Sequence, residues 1–306
     1  MFAQRTKAAW QLRTRSLEVG ARTLVMAVVN ITPDSFSDGN AFFDADSAIA
    51  HALQCLDDGA DIIDLGAEST RPGSRAVAAD EEQTRLLPVL EGILKARPQA
   101  VVSVDTYKAS TARVTIAAGA EIVNDVSGLN WDPEMGSVCA EAGAGVVLSH
   151  TRGRPEEWKD QPQLPAQELV PLVRAGLVST LGLARQAGIR PPCIVLDPGY
   201  GFGKRFQENY ALLAHQQEFI IVRRPLLVGT SRKSFLGHTL APLHGNTPAP
   251  VDQRENASIA AMVASILNGA SIVRVHSVRP AVEAVLIADA VLAAGQPPPN
   301  STPNLQ

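Results

Sequence analysis

The sequence predicts an α/β chain folded as one (β/α)8 (TIM) barrel with a short N-terminal flanking segment, and three observations carry that prediction. Short apolar, β-branched runs recur at residues 24–29, 62–65, 100–104, 121–123, 145–148, 193–196, 226–228 and 271–275. Longer stretches with helical spacing separate most of them: Ala48, Ala52, Cys55, Leu56 and Gly59 fit one face, as do Ala257, Ala260, Ala261, Ala264 and Leu267. A polar residue able to donate, accept or ligate follows nearly every run. Runs that are apolar on both faces and joined by helices form a parallel sheet covered on both sides. Roughly eight such units in about 250 residues is the pattern of a barrel. A doubly wound open sheet shares the alternation, but it would spread the polar strand ends along a line. A barrel gathers them on one rim, where barrel active sites are built, so the pattern also points to an enzyme.

Composition narrows the function classes. The 306 residues are 45% hydrophobic and 19% charged, which supports a real core. Net charge is −4 and no dense basic run occurs, so a nucleic-acid binder is not expected. No apolar run reaches the roughly 18 residues of a membrane span. Cys55, Cys139 and Cys193 are odd in number and widely spaced, matching neither a disulfide framework nor a metal cluster, as in a cytoplasmic protein. Residues 1–20 read as an N-terminal flank. Its basic character faintly suggests a transit peptide; the plainer reading is a segment around Trp10 that pairs as a strand or packs under the barrel. Residues 21–294 form the barrel, and 295–306, rich in Pro, Asn and Ser, read as a disordered tail.

Taken in chain order, each strand end carries a candidate and a plainer alternative. Asn30-Ile31-Thr32-Pro33-Asp34-Ser35-Phe36-Ser37-Asp38-Gly39 follows the first run and reads as a mobile loop with Phe36 at its centre. Thr70 and Arg71, ahead of Pro72-Gly73, can bind an oxyanion through a hydroxyl and a forked guanidinium, or can be ordinary solvated loop residues. Asp105 and Asp197 end very apolar runs, where they are either rim carboxylates or a helix cap and a turn residue. With Asn124 between them they suit a flat nitrogen heterocycle, because acids accept from ring N–H groups while an amide donates and accepts. Gly199-Tyr200-Gly201-Phe202-Gly203-Lys204 lacks the spacing and terminal Ser or Thr of a P-loop, leaving a flexible loop that carries one aromatic ring over the site. Ser231-Arg232-Lys233-Ser234 opens a helix whose start can receive a carboxylate or phosphate. Lys233 can donate hydrogen bonds or serve as a Schiff-base amine. Arg274 and His276 end the last run on one strand face, a recurrent anion position in barrels.

Together these motifs resemble the bacterial dihydropteroate synthases, a family of pterin-binding barrels. The resemblance rests on 28–39, Glu68-Ser69-Thr70-Arg71-Pro72-Gly73, Ser103-Val104-Asp105-Thr106 and Asn124-Asp125-Val126-Ser127-Gly128. It continues through Leu196-Asp197-Pro198-Gly199, Gly201-Phe202-Gly203-Lys204, Ser231-Arg232-Lys233-Ser234 and Arg274-Val275-His276. It implies that p-aminobenzoate displaces diphosphate from 6-hydroxymethyl-7,8-dihydropterin diphosphate, with Mg²⁺, in a cytoplasmic homodimer of a sulfonamide-target family. By analogy Asp105, Asn124, Asp197 and Lys233 hold the pterin, and Asn30 helps ligate Mg²⁺. Thr70, Arg274 and His276 hold the diphosphate, with Asp105, Lys233, Arg274 and His276 as the catalytic set. Phe36, Arg71, Pro72, Phe202 and Ser234 form the p-aminobenzoate site. Three positions depart from the family pattern: Ser149-His150-Thr151 in place of a Met-His-Met stretch, Ser277 where Asp is frequent, and Ala27 for Gly. The rival readings are a pterin-dependent methyltransferase-like barrel, a lysine aldolase and a non-catalytic pterin-binding paralogue.

Overall fold

The computed structural model describes residues 2–31, 45–68 and 76–295. Phe36, Thr70, Arg71, Pro72 and nearly all of the expected tail lie outside the described residues. A hairpin of β1 (Ala8–Gln11) and β2 (Ser16–Val19) comes first. Then strands and helices alternate: β3 (Leu24–Asn30), α1 (Ala45–Asp57), β4 (Ile62–Gly66), α2 (Ala79–Ala96), β5 (Val102–Asp105) and α3 (Ala109–Ala117). They continue with β6 (Ile122–Asp125), α4 (Met135–Ala142), β7 (Gly145–Ser149), α5 (Ala166–Gln186), β8 (Ile194–Asp197) and α6 (Phe206–Ala214). The last units are β9 (Leu227–Val228), α7 (Ser234–Thr239), α8 (Glu255–Leu267), β10 (Ile272–Val275) and α9 (Val278–Ala294).

Parallel pairing runs in the order β8-β7-β6-β5-β4-β3-β10-β9. A parallel bridge from Leu196 of β8 to Leu226, just before β9, joins the two ends. The expected barrel is what the chain forms.

Side chains on a strand point alternately to its two faces, and the packing follows that period of two. Leu24, Ile62, Ile122, Val147, Val195 and Ile272 meet inside the barrel in one buried cluster. Val25, Ala27 and Val29 point outward and pack with Ala48, Ala52 and Leu86 of the surrounding helices. The hairpin seals the N-terminal end of the barrel. Trp10, 1% exposed, joins the interior cluster and donates from its indole to the Cys193 carbonyl at 2.8 Å.

Two details differ from the sequence reading. Asn30, Asp105, Asn124, Asp125 and Asp197 were expected just beyond the strands but are themselves paired strand residues. The ladder therefore fixes their backbones. The buried stripe of α8 is Ser258, Ala261, Met262, Ser265 and Ile266, rotated from the expected face, and Ala260 is exposed. Ala257 and Ala264 are only partly buried, on the flank that packs against the cluster holding Leu212 and Leu213. Gly59 lies past the end of α1, at φ +102°.

Candidate active site

The strand period decides which polar groups enter the barrel. In β10, Val273 and Val275 face the helices, so Arg274 between them faces inward. Its Nε donates to Asp64 Oδ2 at 2.6 Å and its Nη2 to Asp105 Oδ2 at 2.7 Å. Asn124 of β6 donates from Nδ2 to the same Asp64 oxygen at 3.1 Å. Four strands thus contribute to one hydrogen-bonded frame. Asp197, at the end of β8, accepts the Gly199 backbone N–H at 2.7 Å.

The glycine-rich segment after β8 is shaped by close approach. Gly199 has φ +71°, and a Cβ there would lie 1.9 Å from the His150 carbonyl oxygen, so only glycine fits. The buried ammonium of Lys204 donates to the carbonyls of His150, Pro198 and Gly199 at 2.7, 2.9 and 2.8 Å. This knot presents Phe202, whose ring lies 3.9 Å from Lys233 Nζ. Lys233 immediately precedes α7, and Ser234, the first residue of that helix, is exposed. His276 Nδ1 pairs with Ser231 Oγ at 2.9 Å, tying the end of β10 to the turn after β9.

Electrostatics follows from burial and from these partners. Burial pushes the Asp105 carboxyl up to about 7, while Arg274 opposes and Asp64 and Glu82 reinforce the rise. Burial pulls the Lys233 ammonium down to about 8, assisted by Arg274 and opposed by Asp197 and Asp105. Asp197 is raised by burial, against the Gly199 hydrogen bond. Burial also works against the Arg274 charge, but Asp64 and Asp105 more than offset it and hold the guanidinium above its ordinary value. An acid and a base displaced toward each other within one enclosure are typical of functional sites.

Asp105, Asn124, Asp197, Phe202, Lys233, Arg274 and His276 therefore gather on the rim or just inside it. Asn30 lies there too: a Cβ placed on Gly66 would have Asp105 Oδ2 at 3.8 Å and Asn30 Oδ1 at 3.9 Å. His150 does not join them. Its ring packs against Gly176 of α5, between the barrel and the helices, and burial drives its pKa down to about 2. Sequence reasoning missed Asp64, which is wholly buried, because it sits inside a run taken as apolar. An acid at an inward position of Ile62-Ile63-Asp64-Leu65 was the available signal. It also missed Lys204 as the knot of the glycine loop.

A pterin site needs a fixed set of donors and acceptors, and known proteins bear on that comparison. Residues 26–276 match the family described as pterin binding enzyme. The chain is 40% identical over 280 residues to the dihydropteroate synthase of Bacillus subtilis, covering 92% of each chain. This chain belongs to the dihydropteroate synthase family. Among dihydropteroate synthases of known structure, it is 38% identical to the Yersinia pestis protein in complex with a sulfonamide drug. That match has a TM-score of 0.85 and covers 93% of this chain and 99% of the other. It is 37% identical to the Xanthomonas albilineans protein with 4-aminobenzoic acid, with a TM-score of 0.82 and coverage of 94% and 99%.

Two departures from the dihydropteroate synthase pattern now have structural settings. Ser149 is buried and pairs in register with Asp197, so it occupies the inner wall as a small polar residue. Ser277 accepts from Arg232 Nη2 at 3.1 Å and donates to Glu255 Oε2 at 2.8 Å. The carboxylate beside Arg232 thus comes from α8.

Proposed function

We propose that the frame of Asp105, Asn124, Asp197, Lys233 and Arg274 holds a dihydropterin diphosphate while an arylamine, p-aminobenzoate, displaces the diphosphate to give 7,8-dihydropteroate. The observation that carries this reading is the single guanidinium of Arg274 spanning two carboxylates. Two acids facing one base retain negative charge beside the reacting ring. An electron-rich dihydropterin develops positive charge as its C–O bond breaks, and Asp105 stabilises that charge in place. Asn124 and Asp197 read the ring nitrogens, and Lys233 donates to a ring acceptor. The aniline nitrogen is already unprotonated at neutral pH, so the protein binds and orients it without a general base.

Phe202 and Ser234 form the described part of the p-aminobenzoate site, and we assign Phe36, Arg71 and Pro72 to its remainder. Thr70, His276 and the outer edge of Arg274 receive the diphosphate. The donor set at Asn30 fits Mg²⁺: Mg²⁺ takes oxygen ligands, few from protein and the rest from phosphates and water, and the Asn30 amide oxygen faces bare Gly66. When bound, the ion offsets charge on the leaving diphosphate. Exposed Leu286, Ile287 and Val291 on α9 support a homodimer. The three buried free cysteines fit a cytoplasmic enzyme.

The test is diphosphate release by the purified chain, given the pterin diphosphate with and without p-aminobenzoate and Mg²⁺. Release coupled one to one with pteroate formation is expected. Pterin binding without turnover would indicate a non-catalytic paralogue. A borohydride-trapped lysine adduct would indicate the aldolase.

A further inference from the structure

We propose that Asp64 is a positioning residue: as the buried counter-ion of Arg274, it holds the guanidinium across the barrel and leaves the charge of Asp105 for the substrate. This rests on the role given to Asp105 above. Asp64 is 0% exposed and stands in β4 between Ile63 and Leu65, both of which pack toward the helices. A carboxylate so placed is costly unless paired. Its Oδ2 takes two donors, Arg274 Nε at 2.6 Å and Asn124 Nδ2 at 3.1 Å.

The arginine fork is planar and rigid, so bonds from Nε to one carboxylate and from Nη2 to another fix its orientation. Without the Asp64 charge, the fork is free to turn both arms onto Asp105, neutralising the group that faces the developing cation. The same Asp64 oxygen occupies Asn124 Nδ2, which leaves the Asn124 carbonyl oxygen as an acceptor for the ligand. Asp64 therefore sets two ligand-facing groups without touching the ligand.

The charged groups facing Asp105 are Arg274 from β10, Asp64 from β4, Glu82 from α2 and Lys233 from the start of α7. Asp64 raises the Asp105 carboxyl and Arg274 lowers it. Removing Asp64 takes away one and strengthens the other, so both changes move Asp105 downward.

The experiment is a double-mutant cycle with Asp64→Asn and Arg274→Met in the full chain, reading kcat, KM for the pterin diphosphate, and the pH profile of kcat/KM. Asp64→Asn should lower kcat about ten- to a hundredfold, the range seen when a supporting partner of an active group is lost. It should also shift the acid limb to lower pH. In the Arg274→Met background the same change should alter kcat by less than about threefold. An equal loss in both backgrounds, or an acid limb that stays or moves up, would overturn the proposal. If Asp64→Asn alone fails to fold, comparing the double variant with Arg274→Met still decides it. Failure of the unmodified chain to form pteroate would overturn the activity reading first, and this proposal with it.

Discussion

The Lys233 ammonium lies 3.9 Å from the centroid of the Phe202 ring, joining the turn after β9 to the loop after β8. The contact is supported from both sides. The Phe202 ring meets the Trp158 ring at 5.2 Å, and a Cβ on Gly201 would touch the Lys233 side chain at 3.2 Å. A residue assigned to the pterin and one assigned to the arylamine are thus in direct contact.

Phe202→Leu should therefore disturb both substrates unequally. A cation–π contact contributes about 0.5–2 kcal/mol. We expect KM for p-aminobenzoate to rise about three- to thirtyfold, with KM for the pterin diphosphate moving by less. Steady-state kinetics with each substrate varied separately checks this, and equal changes would reject the assignment.

Lys233 and Ser234 are adjacent but should separate cleanly. The helix that Ser234 opens has only six residues, so the hydroxyl, more than the helix, must carry any carboxylate contact. Ser234→Ala should raise KM for p-aminobenzoate about ten- to a hundredfold, since a hydrogen bond to a charged group contributes about 1.5–3 kcal/mol. Pterin diphosphate binding should hardly change. Lys233→Ala should instead impair the pterin substrate. Isothermal titration of each ligand into each variant distinguishes the two.

Much of this arrangement was legible because the strand period is simple. Asp105, Asn124 and Asp197 each close an apolar run, and alternation alone turns them inward. Asp64 was not legible, because its meaning depends on Arg274, 210 positions away, arriving on β10 beside β3. Lys204 was hidden for a different reason. Its partners are backbone carbonyls, and no residue type signals those. Ser149 and His150 show how one position matters: the first shares the interior with Asp197, while the second turns to α5. The hairpin around Trp10 was readable as a strand or a plug, and it is both.

Activity should depend on pH in a narrow bell. Asp105 must be ionised to stabilise a cation and sits near about 7, while Lys233 must be protonated to donate and sits near about 8. The profile of kcat/KM for the pterin diphosphate reports the free enzyme, so its limbs should fall near those values as properties of the coupled set. Asp105→Asn should lose the acid limb and drop kcat roughly a hundredfold, equivalent to about 3 kcal/mol. Near-normal turnover with only a raised KM would reject the electrostatic role.

Trp10→Ala tests the sealed end of the barrel. Deleting a buried Trp costs about 3–5 kcal/mol, and here the Cys193 carbonyl also loses its donor. Urea denaturation should show that loss with the denaturant slope unchanged. A loss under 1 kcal/mol would mean the hairpin is only loosely docked.

His150 gives a stability prediction whose sign follows from burial. Its folded pKa is pulled down to about 2, first by burial and then by Lys204 and Arg152, whereas an unfolded histidine titrates near about 6.5. Above that value neither state carries the extra proton, and the full contribution is present. As pH falls through it, the unfolded chain binds a proton that the folded chain refuses, so stability drops by about 1.4 kcal/mol per pH unit. Arg152 cannot ease the strain, because its guanidinium is already bound to Glu208 at 3.1 Å and to the Pro162 carbonyl at 2.8 Å. His150→Gln removes the titration but keeps a polar side chain beside Gly176. Between pH 7.5 and 5, wild type should therefore lose about 2 kcal/mol more than the variant, whichever is more stable at pH 7.5. Because every other group titrates alike in both proteins, the difference between their urea curves isolates this histidine. A difference that does not change with pH would show that His150 accepts its proton in the folded barrel.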